Sequence, residues 1–351
     1  MASSRSFIAV PPGATIKEQL QQRKMSQKEF AMRLDTSEKH VSRLINGEVI
    51  LTPEMALKLE MVLGVPARFW NNLESSYREK LVKVQEENDR DEDKDILKLF
   101  PYAEMVKLGW IEAASKDEDK IFNLRKYFEV VKLSLLEKNI VLNGLACRRL
   151  NSNEKADYSL LTFAQKAKIE ARNRDIESIN IRLLEYRISQ IRKMTVLNPE
   201  VFSDKLIHIL SECGIALIFL PHLSGSYLHG ATFLDRNKIV IALTLRGKMA
   251  DIFWFSLFHE LGHVILGHIY EPHGLDESEE KEAGKYARDI LIPEKYYKAF
   301  IDKRDFTKNS IISFSESISI DPGIVVGRLQ KENYIKFSQF NDLKKKYELR
   351  N

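Results

Sequence analysis

Residues 258–268 read FHELGHVILGH, and no other stretch limits the fold so tightly. On a helix, residues four apart stand on one face, so His259 and His263 look the same way. Around them lie Trp254, Phe255, Leu257, Phe258, Val264 and Ile265, an apolar set that marks a core helix. The bland account is a core helix with two satisfied histidines. Against it, two imidazoles and a carboxylate buried together without a shared partner are costly. A metal ion removes that cost, because two neutral imidazoles one turn apart can grip one Zn²⁺. Glu260, next to His259, is angled toward the open coordination position, where a base must stand to take a proton from water.

A tetrahedral site needs a third protein ligand, so a second element has to pack against this helix. His268 is nearest, but it lies five residues after His263, nearly opposite on a continuing helix, and does not fit the metzincin spacing. Second-shell contact or capping of the helix end suits it better. After a loop with Pro272 and Gly274, the next helix, SEEKEAGKYARDILIP, ends at Pro293 and offers Glu277, Glu279, Glu280 and Glu282. From the residues alone the choice among these acids stays open.

The chain of 351 residues is too long for one typical domain. Its 44% hydrophobic and 30% charged residues fit a globular protein, and a net charge of +4 requires any basic footprint to be local. Cys147 and Cys213 form no CxxC pair, so neither a thiolate zinc site nor a disulfide framework is suggested, which suits free thiols in a reducing compartment. The first residues, MASSRSFIAVPPGATI, lack the pattern of a signal peptide, and the longest apolar runs, such as GIALIFLP, are too short to span a bilayer. The expectation is a cytoplasmic protein with no membrane partner.

Three textures follow one another. Residues 8–80 are compactly helical and run into the acidic QEENDRDEDKD, a solvated helix or linker. Residues 81–195 show helical periodicity without strand signals and read as a helical middle region. Residues 196–351 mix strands and helices: GIALIFLP is a β-rich run, and GATFLDRNKIVIAL holds two strand-like runs around Asp-Arg-Asn, a hairpin. The fold class is therefore multidomain and mainly α, with an α+β C-terminal part.

MSQKEFAMRLDTSEKHVSRLING reads as two short helices around a tight turn. Ser26 is an N-cap with Glu29 as its capping-box partner, and Ser37 is the second N-cap. Phe30, Ala31 and Leu34 face Val41, Leu44 and Ile45, while Asn46-Gly47 ends the second helix. Thr36, Ser37, Lys39, His40 and Arg43 stand at the start and on the outward face of that helix, where a recognition helix meets base edges. Gln27 and Ser42 are placed to reach phosphates. A solvated helix hairpin with ordinary surface charge is the competing account.

Two resemblances settle these choices as expectations. The stretch, with PPGATIKEQL before it and GEVILTPEMALKLEMVLGVPARFWNNLESSY after it, resembles the lambda-repressor-like, XRE-type helix-turn-helix and is similar to HigA-type antitoxin regulators over residues 8–80. Asp35 stands where the family has a small residue at the turn. The resemblance implies a double-stranded DNA operator and a homodimer. Residues 196–340, through HELGH, EAGKYARDILIP, HGATF, IALTLR and SIDPGIVVGRLQ, resemble the ImmA/IrrE (DUF955) zinc metallopeptidases. Carried over, Glu282 is the third ligand of one Zn²⁺ per chain, beside His259 and His263, with Glu260 as catalytic base and a zincin-like fold. Gly284 stands where that family has Asn. Asp289, two turns after Glu282, is read either as orienting a ligand histidine or as a surface residue, and Arg246 either as holding a substrate carbonyl or carboxylate or, preferably, as part of a structural salt bridge. The implied protein substrate is a repressor or toxin-system protein, in a stress-response or toxin–antitoxin setting. The alternatives are a non-catalytic regulator whose zincin domain senses metal or ligand, and an antitoxin that binds a toxin through the middle region.

Overall fold

The structure, a computed structural model, describes residues 2–136, 145–146, 154–223, 229–244, 249–270 and 277–347. It divides into two compact units, Met1–Asp95 and Ile96–Asn351. This differs from the expected division at 80 and 195, and the reason lies in how the middle helices pack.

In the first unit a short antiparallel pair, β1 (Ala2–Ser3) and β2 (Ile8–Ala9), precedes α1 (Gly13–Gln22), α2 (Gln27–Arg33), α3 (Glu38–Ile45), α4 (Pro53–Leu63) and the long α5 (Ala67–Leu97). The acidic run is not a break but the second half of α5. Side chains on α1 to α4 and the start of α5, among them Ile16, Phe30, Leu34, Val41, Leu44, Leu59 and Trp70, make one core. Burying each of the larger ones contributes about 1.5–3 kcal/mol. Ser26 caps α2 by accepting from the Glu29 N–H at 3.1 Å. The reciprocal half of the expected box is not made, because the Glu29 carboxylate pairs with Arg33 at 2.8 Å one turn on.

The second unit carries a four-stranded sheet, β3 (Leu145–Ala146), β4 (Ile215–Leu220), β5 (Gly230–Asp235) and β6 (Lys238–Thr244), in the order β3-β5-β6-β4. β5 and β6 form the expected antiparallel hairpin, with Arg236 at φ 58° in its turn, while β4 runs parallel to β6. β3, which the sequence reading missed, pairs with Thr232 and Phe233 of β5.

Both faces of the sheet are covered. Ala216, Ile218, Leu220, Val240 and Ala242 point into a core shared with α6 (Tyr102–Lys107), α7 (Asp117–Phe128) and α8 (Glu154–Arg172). Ile215, Leu217, Ile239, Ile241 and Leu243 point into the opposite core, shared with α9 (Ile181–Lys193), α10 (Pro199–Glu212), α11 (Ala250–Ile265), α12 (Glu277–Leu291), α13 (Glu294–Asp302) and α15 (Pro322–Lys331). A strand buried on both sides needs no polar alternation, which is why GIALIFLP reads as a continuous apolar run. The described helices between residues 96 and 172 are thus one layer of this unit and not a separate linker. α14 (Lys308–Ser317) lies against α15.

The start of α11 is pinned by the C-terminal segment. The Ala250 N–H donates to the Lys345 carbonyl at 2.9 Å, Lys344 pairs with Asp251 at 2.7 Å, and the Trp254 indole N–H donates to the Tyr347 hydroxyl at 3.0 Å. Among the described residues no helix is long and apolar enough to cross a membrane.

Candidate metal centre

α11 and α12 pack closely because small residues meet. A Cβ added to Gly262 would lie 3.3 Å from the Ala283 Cα and 3.1 Å from Tyr286 Cδ1. The buried stripe of α12 is Ala283, Gly284, Ala287 and Leu291, and Glu280 stands at its N-terminal end on the same face.

His259, His263 and Glu280 converge there as a group able to hold a metal ion. His259 Nε2 and His263 Nε2 are 3.1 Å apart, Glu280 Oε2 is 3.4 Å from His259 Nε2, and Glu280 Oε1 is 3.7 Å from His263 Nε2. Bonds of about 2.0–2.1 Å in a tetrahedron put ligand atoms about 3.3 Å apart, so the donor set and its spacing fit Zn²⁺. His263 is buried, and that burial, aided by His259 and opposed by Glu280, lowers its pKa to about 3. It is therefore neutral, the form that ligates.

This corrects the expected ligand. Glu282 is 60% exposed and its carboxylate lies 3.4 Å from His268 Nε2, away from the other two histidines. Two residues along a helix turn a side chain through about 200°, so Glu280 and Glu282 cannot share a face. The i, i+3, i+4, i+7 run of Glu280, Ala283, Gly284 and Ala287 carried this signal in the sequence.

Glu260 is buried, and its Oε2 accepts a hydrogen bond from the Thr232 hydroxyl at 2.6 Å. Burial pushes its carboxyl up to about 7, against the pull of His259 and the Thr232 bond. Gly230, at the start of β5, leaves the room it occupies: a Cβ there would sit 2.6 Å from Glu260 Oε1 and 2.9 Å from its Cγ. Neither Thr232 nor Gly230 was singled out from the sequence, since only the pairing of β5 with β6 brings them over α11.

The helix does not continue to His268 as expected, but the expected contact of His268 behind the two histidines is made. α11 ends at Ile265, Gly267 turns the chain at φ 83°, and a short 3₁₀ turn over His268–Tyr270 carries the ring back. The buried His268 then puts Nδ1 3.0 Å from His263 Nδ1. Asp289 pairs with Lys285 at 3.8 Å, in keeping with a surface role. Arg246, Cys147 and the loop with Pro272 and Gly274 lie outside the described residues.

On the first unit, Gln27, Ser37, Lys39 and Arg43 are exposed, and Thr36, His40 and Ser42 are half-buried. All seven stand at the start of α2 or on and before α3. Ser37 is committed to capping, its hydroxyl accepting from the His40 N–H at 3.1 Å. The turn between the helices closes with the Thr36 N–H on the Ala31 carbonyl at 3.0 Å and the Asp35 N–H on that of Met32 at 3.2 Å. Asp35 sits at φ 52°, so aspartate adopts the left-handed turn that a small residue usually fills.

A family model described as Helix-turn-helix matches residues 16–70 and stops well before His259. Over 66 residues, 19% of this chain and 70% of the relative, the chain is 39% identical to an uncharacterized HTH-type transcriptional regulator, YddM, of Escherichia coli (strain K12). It is also similar to a solved addiction module antidote protein of a HigA family from Coxiella burnetii, with 31% identity over 21% of this chain and 80% of that one. The TM-score of that match is 0.20, too low to carry a structural argument.

Proposed function

The chain belongs, through residues 16–70, to the helix-turn-helix transcriptional regulators, and on that premise we propose that it is a DNA-binding regulator joined to a zinc-dependent endopeptidase of the ImmA/IrrE kind. The observation that carries the second half is the convergence of His259, His263 and Glu280 beside a buried Glu260 whose carboxyl is pushed up to about 7. A general base must be held in place near the water it deprotonates, and the Thr232 hydroxyl holds one oxygen of the buried Glu260, the residue next to His259.

His259, His263 and Glu280 would hold the ion. Bound Zn²⁺ supplies Lewis acidity, polarising a peptide carbonyl and easing loss of a proton from water. Glu260 takes the proton of the attacking water and returns it to the leaving amide nitrogen, which conserves the carboxyl over a cycle. Thr232 fixes one of its oxygens by a hydrogen bond, and the bare backbone of Gly230 lets the other lie under β5. A gluzincin-like site of this kind cuts a protein substrate, for which a repressor or a toxin-system protein is the expected class.

The first unit would place α3 in the major groove of an operator, with Lys39 and Arg43 toward base edges and Gln27 toward a phosphate. A homodimer reading a two-fold operator is what the resemblance to helix-turn-helix regulators implies.

The test compares new protein N-termini in stressed cells carrying the wild type or Glu260→Gln. Fragments made only with the wild type support the peptidase and name its substrate. No difference, with zinc bound and operator binding intact, moves the function to a metal-sensing regulator that does not cut. For the DNA-binding half, Arg43→Ala should weaken operator binding by about 1–3 kcal/mol, and unchanged affinity removes Arg43 from the contact set.

A further inference from the structure

His268 is buried, polar and unused by the reading above, yet it touches the centre. Its Nδ1 is 3.0 Å from Nδ1 of His263, and its Nε2 is 3.4 Å from Oε2 of Glu282. Those atoms lie on the side of His263 remote from its ligating nitrogen, because His263 Nε2 faces His259 and Glu280. His268 therefore cannot be a third ligand of the same ion, and neither can Glu282.

The tautomers follow from the ligation. An imidazole that ligates through Nε2 carries its proton on Nδ1. Nδ1–H of His263 then has His268 Nδ1 as its acceptor. His268 can accept there only as the Nε2–H tautomer, and that Nε2–H points at the Glu282 carboxylate. One arrangement of protons thus satisfies the whole row of Glu282, His268 and His263, and it leaves a lone pair on His263 Nε2. Glu282, at Nε2 of His268, adds to the bias toward the accepting tautomer that the Nδ1–H of His263 imposes.

We propose that His268 is a positioning residue for the metal centre: held as the Nε2–H tautomer by Glu282, it accepts from Nδ1–H of His263 and keeps Nε2 of His263 aimed at the ion. The proposal rests on the assignment of His259, His263 and Glu280 as a metal site. It also gives Glu282 its place, behind the centre and not in it. The turn at Gly267 is what brings His268 back against α11.

The experiment uses the full chain and zinc alone. Zinc affinity is measured by competition with a chromophoric chelator for the wild type, His268→Leu and His268→Gln. The Leu side chain can neither accept nor donate, and affinity should fall by about 10–100-fold. A Gln carbonyl can accept from His263 while its amide donates to Glu282, so His268→Gln should recover most of the loss. Equal affinity in all three overturns the proposal and leaves the metal site standing. A wild type that binds no zinc overturns both.

A variant that merely unfolds would mimic the loss, so the wild type supplies a second readout. Nitrogen-15 NMR of the zinc-loaded, histidine-labelled chain should show His268 as the Nε2–H tautomer and a slowly exchanging proton on Nδ1 of His263. His268 found with its proton on Nδ1 overturns the proposal whatever the variants do.

Discussion

Removing one carboxylate at a time from α12 separates the ligand from its neighbour. Glu280 has an oxygen 3.4 Å from His259 Nε2 and another 3.7 Å from His263 Nε2, whereas Glu282 faces His268 and is 60% exposed. Glu280→Ala takes away one of three protein donors. That loss should exceed what an outer-shell change does, so zinc affinity should fall by at least about 100-fold. At a zinc concentration 1,000 times the wild-type Kd, binding stabilises the native state by about 4.1 kcal/mol. A variant binding 100-fold more weakly gains only about 1.4 kcal/mol at the same concentration, so about 2.7 kcal/mol disappears. Glu282→Ala acts only through His268, from an exposed position, and should cost about tenfold or less. The assay is urea unfolding of each full-length variant with zinc and with a chelator, read as the zinc-dependent part of the stability. Equal losses for the two variants, or a larger loss for Glu282→Ala, would refute the placement of α12 on which the site depends.

Three further outcomes follow from the same geometry. Gly230→Ala puts a carbon 2.6 Å from Glu260 Oε1; displacing the base by about 1 Å should cut peptide turnover by about 100-fold while zinc affinity stays within about threefold, and undiminished turnover would show that Glu260 is not held where the structure places it. In metal-free protein the Glu260 carboxyl keeps its proton up to about pH 7, whereas in the unfolded chain it releases it near its ordinary value of 4.5. Across that window the unfolded state binds fewer protons, so this group makes stability fall as pH rises. The stability of Glu260→Gln minus that of the wild type should therefore grow by on the order of 3 kcal/mol between those pH values, and a flat difference in urea unfolding refutes the burial argument. His263, lowered to about 3, works in the other direction, since its contribution is lost as pH falls below its ordinary 6.5; it is common to both proteins and cancels. Gly284 lies mid-helix, with nothing closer to an added Cβ than Arg288 Nη1 at 3.9 Å and His259 Nδ1 at 4.0 Å, so Gly284→Ala should stabilise by about 0.5–1 kcal/mol; a lower melting temperature would mean the space is not there.

What the sequence disclosed depended on how local each feature is. Ser26 and Ser37 announce helix starts because a cap acts over three residues, and the structure has both hydrogen bonds. His259, Glu260 and His263 share one turn, so their mutual placement needs only the helix. The third candidate ligand comes from another helix, where the family motif points to Glu282 and the helical period favours Glu280. The buried stripe of Ala283, Gly284 and Ala287 fixes which side of α12 meets α11, and Glu282 is not on that side.

Features that need the tertiary fold were the least legible. Thr232 and Gly230 matter only because β5, paired with β6, lies over α11, which no spacing within the strand records. The helices before residue 172 read as a linker because their apolar faces have no partner in their own sequence; the partner is the second face of a sheet that comes after them. His268 is the clearest instance. On a continued α-helix it would point away from His263, and only the turn at Gly267 reverses it. Gly267 of VILGH is a local hint that the helix stops short, and a helix that stops there brings His268 back beside His263, a candidate metal ligand.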